Sequence, residues 1–269
     1  LPFQTVKRGL YGIPSLNMTA RDFFMTTNFA YSRKSDAWLY VLPKRAASPE
    51  LSMFCSHLLG ELETRRNQME DPYTFRGIRE YTYGDTYGKI NWKATAKASK
   101  LMVNMYGYTS EQRVRILLNL ETNIMVKTEY LQEMSMRMAG TIAEYFLQHK
   151  VSVELVSNGI DCMTGACERV EAGMSMEHGE TIDKYLARIK ENAGIDAFMQ
   201  MVDTEIQQME EPITYVIISP YYKEDLLLKL DYMHKKHPEL HMVVPYYDIQ
   251  DKTGWRGYMQ GVEVKWNEI

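Results

Sequence analysis

The sequence lacks several features that would place it in a familiar class of protein. It has only three cysteines among 269 residues, Cys55, Cys162 and Cys167, and their number and spacing fit neither zinc-binding pairs nor a disulfide framework. We therefore expect reduced thiols, although the two later cysteines could meet across a tight loop. The chain also has no secretory leader and no apolar run of about 18 residues, so nothing in it predicts export or a membrane span.

An excess of positive charge is also missing. Lysine and arginine total 31 against 35 acidic residues, which gives a net charge of -4 and a pI near 5.9. A protein whose whole surface binds polyanions would be basic. Any nucleic-acid surface must therefore be local, whereas a hydrophobic content of 45% is typical of a soluble globular protein with a substantial core.

The first part of the chain predicts a small β-rich unit over residues 1–48. Alternating apolar residues separated by turn residues indicate short strands at 10–24, 27–32 and 37–43. A change to helical spacing at 49–70 predicts a helix that leads away from this unit, into a connecting segment that ends near residue 110. The helical stripe consists of Leu51, Phe54, Leu58, Leu59 and Leu62.

Residues 111–269 alternate between apolar strands and amphipathic helices. The predicted strands are 114–120, 151–157, 213–219, 240–247 and, at a sheet edge, 258–266. The predicted helices are 129–148, 180–192, 195–209 and 223–237. This alternation predicts an α/β fold with a doubly wound, mostly parallel sheet and helices on both faces. Ligands of such sheets bind beyond the carboxyl ends of the strands.

The loops at those strand ends contain no obvious catalytic set. The loop at 119–125 has no glycine with which to cradle a phosphate, and Glu121 is its only acid for a hard metal. Ser219 is followed by Pro220 and Tyr221, so the glycine-flanked turn of a nucleophile elbow is missing. We expect no cofactor, no metal and no enzyme activity.

Oxygen-bearing side chains in these loops could coordinate a cation, but we favour helix capping and packing as their role. The same loops are the predicted binding surface for a protein partner. The candidate residues are Asn119, Glu121, Thr122, Asn123, Ser219 and Tyr221.

The most unusual stretch is 75–103, which places six Lys or Arg residues among five aromatic residues. One interpretation is a groove in which the cations follow phosphates and the rings stack on bases. The other is an internal brace, in which Arg76 and Arg79 pair with Glu80, Asp85 or other acids and the rings lie half-buried between the β-rich unit and the sheet domain. The acidic net charge favours the brace.

The same stretch resembles the signature of a bacterial family, the domain of unknown function fifty-eight, which runs roughly R-x-Y-x-x-G-D-x-x-R-x-I-D-W-x-x-S-A-R-x-x-x-L-x-V. Departures from it are Lys89 near the family's arginine, Asn91 for aspartate, Thr95 for serine and Lys97 for the second arginine. The matching positions are Arg79, Tyr81, Gly84, Asp85, Ile90, Trp92, Lys93, Ala96, Leu101 and Val103. The signature residues that we expect to act structurally are Arg76, Arg79, Glu80, Tyr81, Gly84, Asp85, Asn91, Trp92, Lys93 and Lys97.

The resemblance extends over nearly the whole chain and implies a von Willebrand factor A-like sheet domain. It also implies a protein tethered to the bacterial membrane by helices upstream of this segment, consistent with a chain that starts at Leu1 rather than methionine. The family's D-x-S-x-S metal motif would fall where this chain has Asn119, Glu121 and Asn123, with Ser219 where a later acidic ligand often occurs. Loss of the leading aspartate and both serines argues against metal binding.

Together these features predict a non-enzymatic protein-protein interaction module on the cytoplasmic side of the membrane, with a MoxR-type AAA+ ATPase as the expected partner. The alternative is a nucleic-acid-binding module that uses residues 75–103. A metal-dependent hydrolase ranks third. In the leading hypothesis no nucleic acid is bound, and the membrane is reached only through segments outside this chain.

Overall fold

A computed structural model describes seven stretches of the chain, residues 7–68, 71–107, 112–121, 128–190, 196–208, 213–247 and 254–264. The first forms a long antiparallel ribbon of two strands, β1 (Gly9–Arg21) and β2 (Asn28–Val41). The second strand covers both of the later segments that the sequence predicts separately. Twelve residue pairs are in register along the ribbon, with one irregularity beside Pro14.

A helix and a smaller two-stranded sheet follow the ribbon. They consist of α1 (Pro49–Gln68), β3 (Asp71–Glu80), a short 3₁₀ helix (Tyr87–Lys89), α2 (Trp92–Ala98) and β4 (Met102–Gly107), with β3 antiparallel to β4. Helix α1 packs Leu51, Cys55, Leu58 and Leu62 into the main core. The predicted helical stripe is therefore confirmed, because these apolar side chains share one face at helical spacing.

The remaining elements build the sheet domain. In chain order they are β5 (Arg113–Leu118), α3 (Thr128–Gln148), β6 (Ser152–Ser157), β7 (Ile160–Asp161), β8 (Arg169–Gly173), α4 (Met176–Arg188), β9 (Ile189–Lys190), α5 (Asp196–Gln207), β10 (Ile213–Ile218), α6 (Glu224–Lys236), β11 (Leu240–Tyr246) and β12 (Met259–Glu263). Helix α4 begins before the predicted residue 180 because Ser175 caps it, accepting a hydrogen bond from the backbone of His178 at 3.1 Å.

Six strands form one sheet in the order β12-β11-β10-β5-β6-β8. Every neighbouring pair is parallel except β6 and β8. Helices α1, α3 and α4 cover the face that carries Ile116 and Leu118, and α5 and α6 cover the face that carries Leu117. The predicted doubly wound, mostly parallel sheet with helices on both faces is confirmed, and β12 lies at an edge as predicted.

A network of four charged side chains fastens α5 to this sheet. Arg115 on β5 donates from Nε to Glu154 on β6 (2.7 Å) and from Nη1 to Glu205 on α5 (2.6 Å). Arg169 on β8 pairs with the same two carboxylates. The side chains of Arg115, Glu154 and Glu205 are only 6%, 2% and 1% exposed. Buried charges depend on such pairing, because each would otherwise lose its hydration without compensation.

Arg45, at the root of the ribbon, attaches the ribbon to helices α3 and α4. Its guanidinium makes two parallel hydrogen bonds to Asp183, at 2.6 and 2.7 Å, and its Nε bonds Glu144. The guanidinium lies directly against Gly140, where a Cβ atom would stand only 2.7 Å from Nη1 of Arg45. The lack of a side chain at residue 140 therefore makes room for this contact.

Arg8 provides the second attachment. Its Nε donates to Glu133 on α3 at 2.8 Å, and its Nη1 donates to the carbonyl oxygens of Leu186 and Ile189 at 2.7 and 3.0 Å. The two carbonyls lie near the end of α4, where unsatisfied carbonyl groups attract cations. The ribbon is thus held at its base by arginine pairs to two helices of the sheet domain.

No helix within the described stretches combines the length and the apolar character that crossing a membrane requires.

Candidate functional site

The carboxyl ends of β5, β6 and β10 meet at the point where the strand order reverses, which is where doubly wound sheets bind ligands. Asn119, just after β5, ties the three ends together. Its Nδ2 donates to Ser219 Oγ after β10 (2.9 Å), and its Oδ1 accepts from Asn158 Nδ2 after β6 (3.0 Å). The same Oδ1 accepts from the backbone of Glu121 at 2.9 Å. Asn119, Glu121, Asn158, Ser219 and Tyr221 are called the strand-end network below.

The other members of the strand-end network complete it. Ser219 Oγ donates to the Tyr221 carbonyl (2.6 Å) and accepts from the Tyr221 backbone (3.1 Å). Asn158 also donates to Glu121 Oε1 at 3.2 Å. Burial, together with a hydrogen bond to Asp225, raises the pKa of Tyr221 to about 12. The hydroxyl of Ser219 is thus directed at a backbone carbonyl rather than at a base, which is the wrong geometry for a nucleophile.

All five members of the strand-end network are buried. Four of the six predicted partner-binding residues are therefore brought together, but their side chains point into the protein and cannot themselves form a contact surface. Their role is the one favoured by the packing interpretation, since their hydrogen bonds fix the positions of the loops. The other two candidates, Thr122 and Asn123, lie outside the described residues.

The donor set of the strand-end network does not suit a hard divalent cation. Asn119 Oδ1 already accepts two hydrogen bonds, and Ser219 Oγ accepts two and donates one. Mg²⁺ requires free oxygen ligands with at least one carboxylate in near-octahedral geometry. Among the described residues no group of three or more His, Cys, Asp or Glu is arranged to hold a metal ion. We derive no metal chemistry from this region.

The signature segment, residues 75–103, forms a compact unit of its own around Asp85. Arg79 makes two parallel hydrogen bonds to the Asp85 carboxylate, at 2.6 and 2.7 Å, and Thr82 donates to it from both its backbone and its hydroxyl. These bonds lower the pKa of Asp85, with the Arg79 guanidinium as the main cause. Gly84 has φ of +113° in the turn between them, a conformation that favours glycine. The predicted internal pairing of Arg79 is confirmed.

The end of the signature segment is also held by local bonds. Asn91 caps α2 by accepting from the Ala94 backbone (2.9 Å) and donates to Asn104 on β4 (2.8 Å). Asparagine and aspartate act alike as capping residues, so Asn91 can cap the helix as an aspartate would. Glu80 forms an ion pair with Lys100 at 2.7 Å.

The predicted burial of the aromatic rings is wrong. Phe75, Tyr83, Tyr87 and Trp92 are all exposed, and only Tyr81 is partly covered, through stacking on Tyr87 at 6.1 Å between centroids. Arg76, Lys93 and Lys97 also lie at the surface. The brace between the ribbon and the sheet domain has the expected chemistry, arginine paired with carboxylates, but it is made by Arg8 and Arg45.

A cavity of about 520 Å³ lies between α1, α6, β11 and β12, at the opposite end of the sheet from the strand-end network. Within it the Glu61 carboxylate lies between two histidines, 3.5 Å from His57 Nδ1 and 3.3 Å from His241 Nε2. His234 on α6 also lines the cavity. His241, near the start of β11, is mostly buried because α1 covers it, with the Phe54 ring 6.0 Å away between centroids.

Burial lowers the pKa of His241, and Arg65, His57 and His234 lower it further, whereas Glu61 raises it. The folded protein therefore resists protonation of this ring. The neutral His241 ring therefore adds to the free energy of unfolding in full above the unfolded pKa of 6.5. This contribution is lost as the pH falls below that value toward the lower pKa of the folded protein.

We expect the unfolding free energy of the protein to fall more steeply between about pH 7 and about pH 5 than that of a His241→Gln variant. Urea titrations at several pH values measure this difference. The control is His149→Gln, at an exposed position directly after α3, which should keep the steeper fall that His241→Gln removes. Parallel profiles for the protein and the His241→Gln variant would contradict the expectation.

Sequence reasoning missed Asn158, Arg8, Arg45 and the Arg115 network. Asn158 could have been found, because it directly follows a predicted strand whose end faces the expected site. Arg8, Arg45 and Arg115 give no local signal, since their partners lie between 39 and 181 residues away in sequence. The sequence matches no protein-family model and no curated protein.

Proposed function

We propose that the chain is a non-enzymatic protein-protein interaction module with a von Willebrand factor A-like domain. The sheet order supports this proposal, because the first strand of the domain, β5, is central and a single antiparallel strand, β8, lies at one edge. The strand-end network supports it as well. Its polar groups are used to fix three loops at the switch point rather than to form an acid-base or nucleophile-base pair.

The fixed loops define the surface that we assign to the partner. Lys223 and Tyr247 are exposed after β10 and β11, beyond the buried strand-end network. Tyr222, which precedes Lys223, contacts Trp255 with 6.4 Å between ring centroids. A rim that presents tyrosine rings matches many interaction surfaces, in which tyrosine is enriched. This rim is the single observation on which the assignment of the binding surface rests.

The identity of the partner and its location come from the resemblance of residues 75–103. We propose a MoxR-type AAA+ ATPase as the partner and the cytoplasmic side of the bacterial membrane as the location, with tethering by segments outside this chain. Both follow from the family to which the signature is similar, and the Arg79–Asp85 pair and the Asn91 cap support that similarity.

The test is a direct titration of the purified chain against the MoxR-type ATPase of the same genome, with ATP, with ADP and without nucleotide. We expect saturable binding in at least one nucleotide state. A Lys223→Glu, Tyr247→Ser variant should weaken it by about tenfold or more, since rim aromatics and cations dominate such contacts. Isothermal calorimetry or fluorescence anisotropy provides the dissociation constant.

The matched control is Lys184→Glu with Tyr232→Ser, which changes the same residue types at exposed positions on α4 and α6. It should leave the affinity unchanged. Absence of binding in all three nucleotide states would overturn the partner assignment. Equal losses in both variants would overturn the assignment of the rim.

One observation favours the second candidate, nucleic-acid binding through residues 75–103. Trp92 is 69% exposed at the start of α2, and Lys93 and Lys97, one helical turn apart, lie on the same surface. If this function holds, single-stranded DNA or RNA should bind with an affinity that falls steeply with salt, and Lys93→Glu with Lys97→Glu should abolish it. No binding at low salt would exclude it.

A further inference from the structure

The turn at the far end of the ribbon presents three large apolar side chains to solvent. Phe23, Phe24 and Met25 are 93%, 80% and 77% exposed. The two phenylalanine rings pack edge to face, with 5.4 Å between centroids, so they form one apolar wedge. Isolated apolar residues on a surface are ordinary, but a contiguous group that protrudes from a turn indicates a contact with something apolar.

Asp22 holds this turn in a single conformation. Its Oδ1 accepts hydrogen bonds from the backbone of Thr26 at 2.7 Å and of Thr27 at 3.1 Å, and its carbonyl accepts one from Met25 at 3.0 Å. Met25 has φ of +55°, a left-handed conformation that is unfavourable for a methionine. The wedge is therefore preorganised, since the local bonds impose the strained backbone that directs the side chains outward.

The outer half of the ribbon is amphipathic. Leu16 pairs with Arg33, Met18 with Tyr31 and Ala20 with Phe29, so these side chains share one face of the sheet. The opposite face consists mainly of polar residues, which are Ser15, Asn17, Thr19, Arg21, Asn28, Ser32 and Lys34. An antiparallel sheet with this alternation normally has its apolar face covered, yet Leu16, Met18, Phe29 and Tyr31 are all exposed.

The charge of the outer ribbon indicates what kind of surface it binds. Between residues 15 and 34 three cations, Arg21, Arg33 and Lys34, accompany one acid, Asp22, and that acid is occupied by the turn. The protein as a whole is acidic. The outer ribbon is thus a basic, apolar projection from an acidic body.

We propose that the outer ribbon inserts its tip into the interface of an anionic lipid bilayer. The ribbon reaches about 40 Å from its root at roughly 3.3 Å per residue. Its tip is only two strands wide. A fluid bilayer accepts a narrow wedge, and binding strength then depends on inserted apolar area plus attraction between cations and anionic headgroups. Phenylalanine, tyrosine and methionine suit this interface.

The experiment is co-sedimentation of the full chain with two kinds of vesicle, one of phosphatidylcholine alone and one with roughly 30% phosphatidylserine, at low and high salt. We expect binding to the anionic vesicles that weakens with salt. A Phe23→Ser, Phe24→Ser variant and an Arg21→Glu, Arg33→Glu, Lys34→Glu variant should each reduce the partition coefficient by about tenfold or more. The matched control, Met53→Ser with Leu228→Ser, removes two exposed apolar residues from α1 and α6 and should bind as the unaltered protein does.

The depth to which the tip enters the bilayer is a second measurement, and a variant that fails to fold would not give the same result. In a Phe24→Trp variant, lipids brominated on their acyl chains should quench the additional fluorescence, whereas aqueous quenchers should be excluded. Three results would overturn the proposal. These are no binding to anionic vesicles, equal binding by the tip variant, or a concentration-dependent dimer in lipid-free buffer that the tip variant abolishes, which would assign the apolar face to a second copy of the chain.

Discussion

Replacing Arg115 by methionine should lower the free energy of unfolding by about 3–5 kcal/mol, because it leaves two buried carboxylates with only Arg169 as a charged partner. Glu154 and Glu205 are almost fully buried, and the remaining cation, Arg169, is one-third exposed and pairs with them only from the side. The loss also removes the contact of the guanidinium with the Tyr215 ring, 5.7 Å from its centroid. Urea denaturation followed by circular dichroism gives the value.

The same logic predicts the reverse outcome when the three buried members of the network are replaced together. The triple variant Arg115→Met, Glu154→Leu, Glu205→Leu should regain most of the loss, since well-packed apolar side chains often equal or exceed a buried ion network in stability. Lys184→Met is the control, because it breaks only an exposed pair with Glu180 at 3.5 Å and should cost less than about 1 kcal/mol. A triple variant less stable than Arg115→Met alone would refute the argument.

Gly140→Ala should destabilise the protein even though alanine is the better helix former. In the interior of α3 the exchange alone would stabilise by about 1 kcal/mol. The added methyl group, however, would stand 2.7 Å from Nη1 of Arg45 and would displace the guanidinium from Asp183 and Glu144. Losing charge-assisted bonds of this kind costs about 1.5–3 kcal/mol, so we expect a net loss.

Two comparisons isolate that cause. Gly60→Ala lies in the interior of α1 with no atom within 4 Å of the new Cβ, and it should stabilise the protein. In an Arg45→Ala background, Gly140→Ala should also become stabilising, so that the double-mutant cycle gives an interaction energy of about 2 kcal/mol. If Gly140→Ala has the same effect with and without Arg45, the proposed contact does not determine the outcome.

The sheet was the part of the fold most fully predictable from sequence. Strands β5, β6, β10 and β11 are continuous apolar runs covered on both faces, and their predicted ends differ from the observed ones by at most two residues. Strand β8 was not predicted because Arg169–Gly173 has few apolar residues and lies at the sheet edge. Its position depends on pairing with β6, and no local sequence pattern encodes that pairing.

The candidate site was predictable in position but not in detail. The rule that strand ends meet at one edge correctly brought Asn119, Glu121 and Ser219 together. It could not say that these side chains would point inward, because that depends on Asn158 reaching across from β6. Likewise, composition predicted that residues 75–103 form the brace. The arginines that hold the ribbon, Arg8 and Arg45, lie outside that stretch, and their partners are distant in sequence.

Arginine side chains attach the ribbon directly to helix α3. Arg8 forms an ion pair with Glu133 on α3. The neighbouring residue, Gln132, donates a hydrogen bond from Nε2 to the carbonyl of Leu120 at 2.6 Å, in the loop that follows β5. Two neighbouring residues of α3 therefore contact the ribbon and the loop after β5. A force on the ribbon at Arg8 would therefore act on the same turn of α3 that holds the loop after β5.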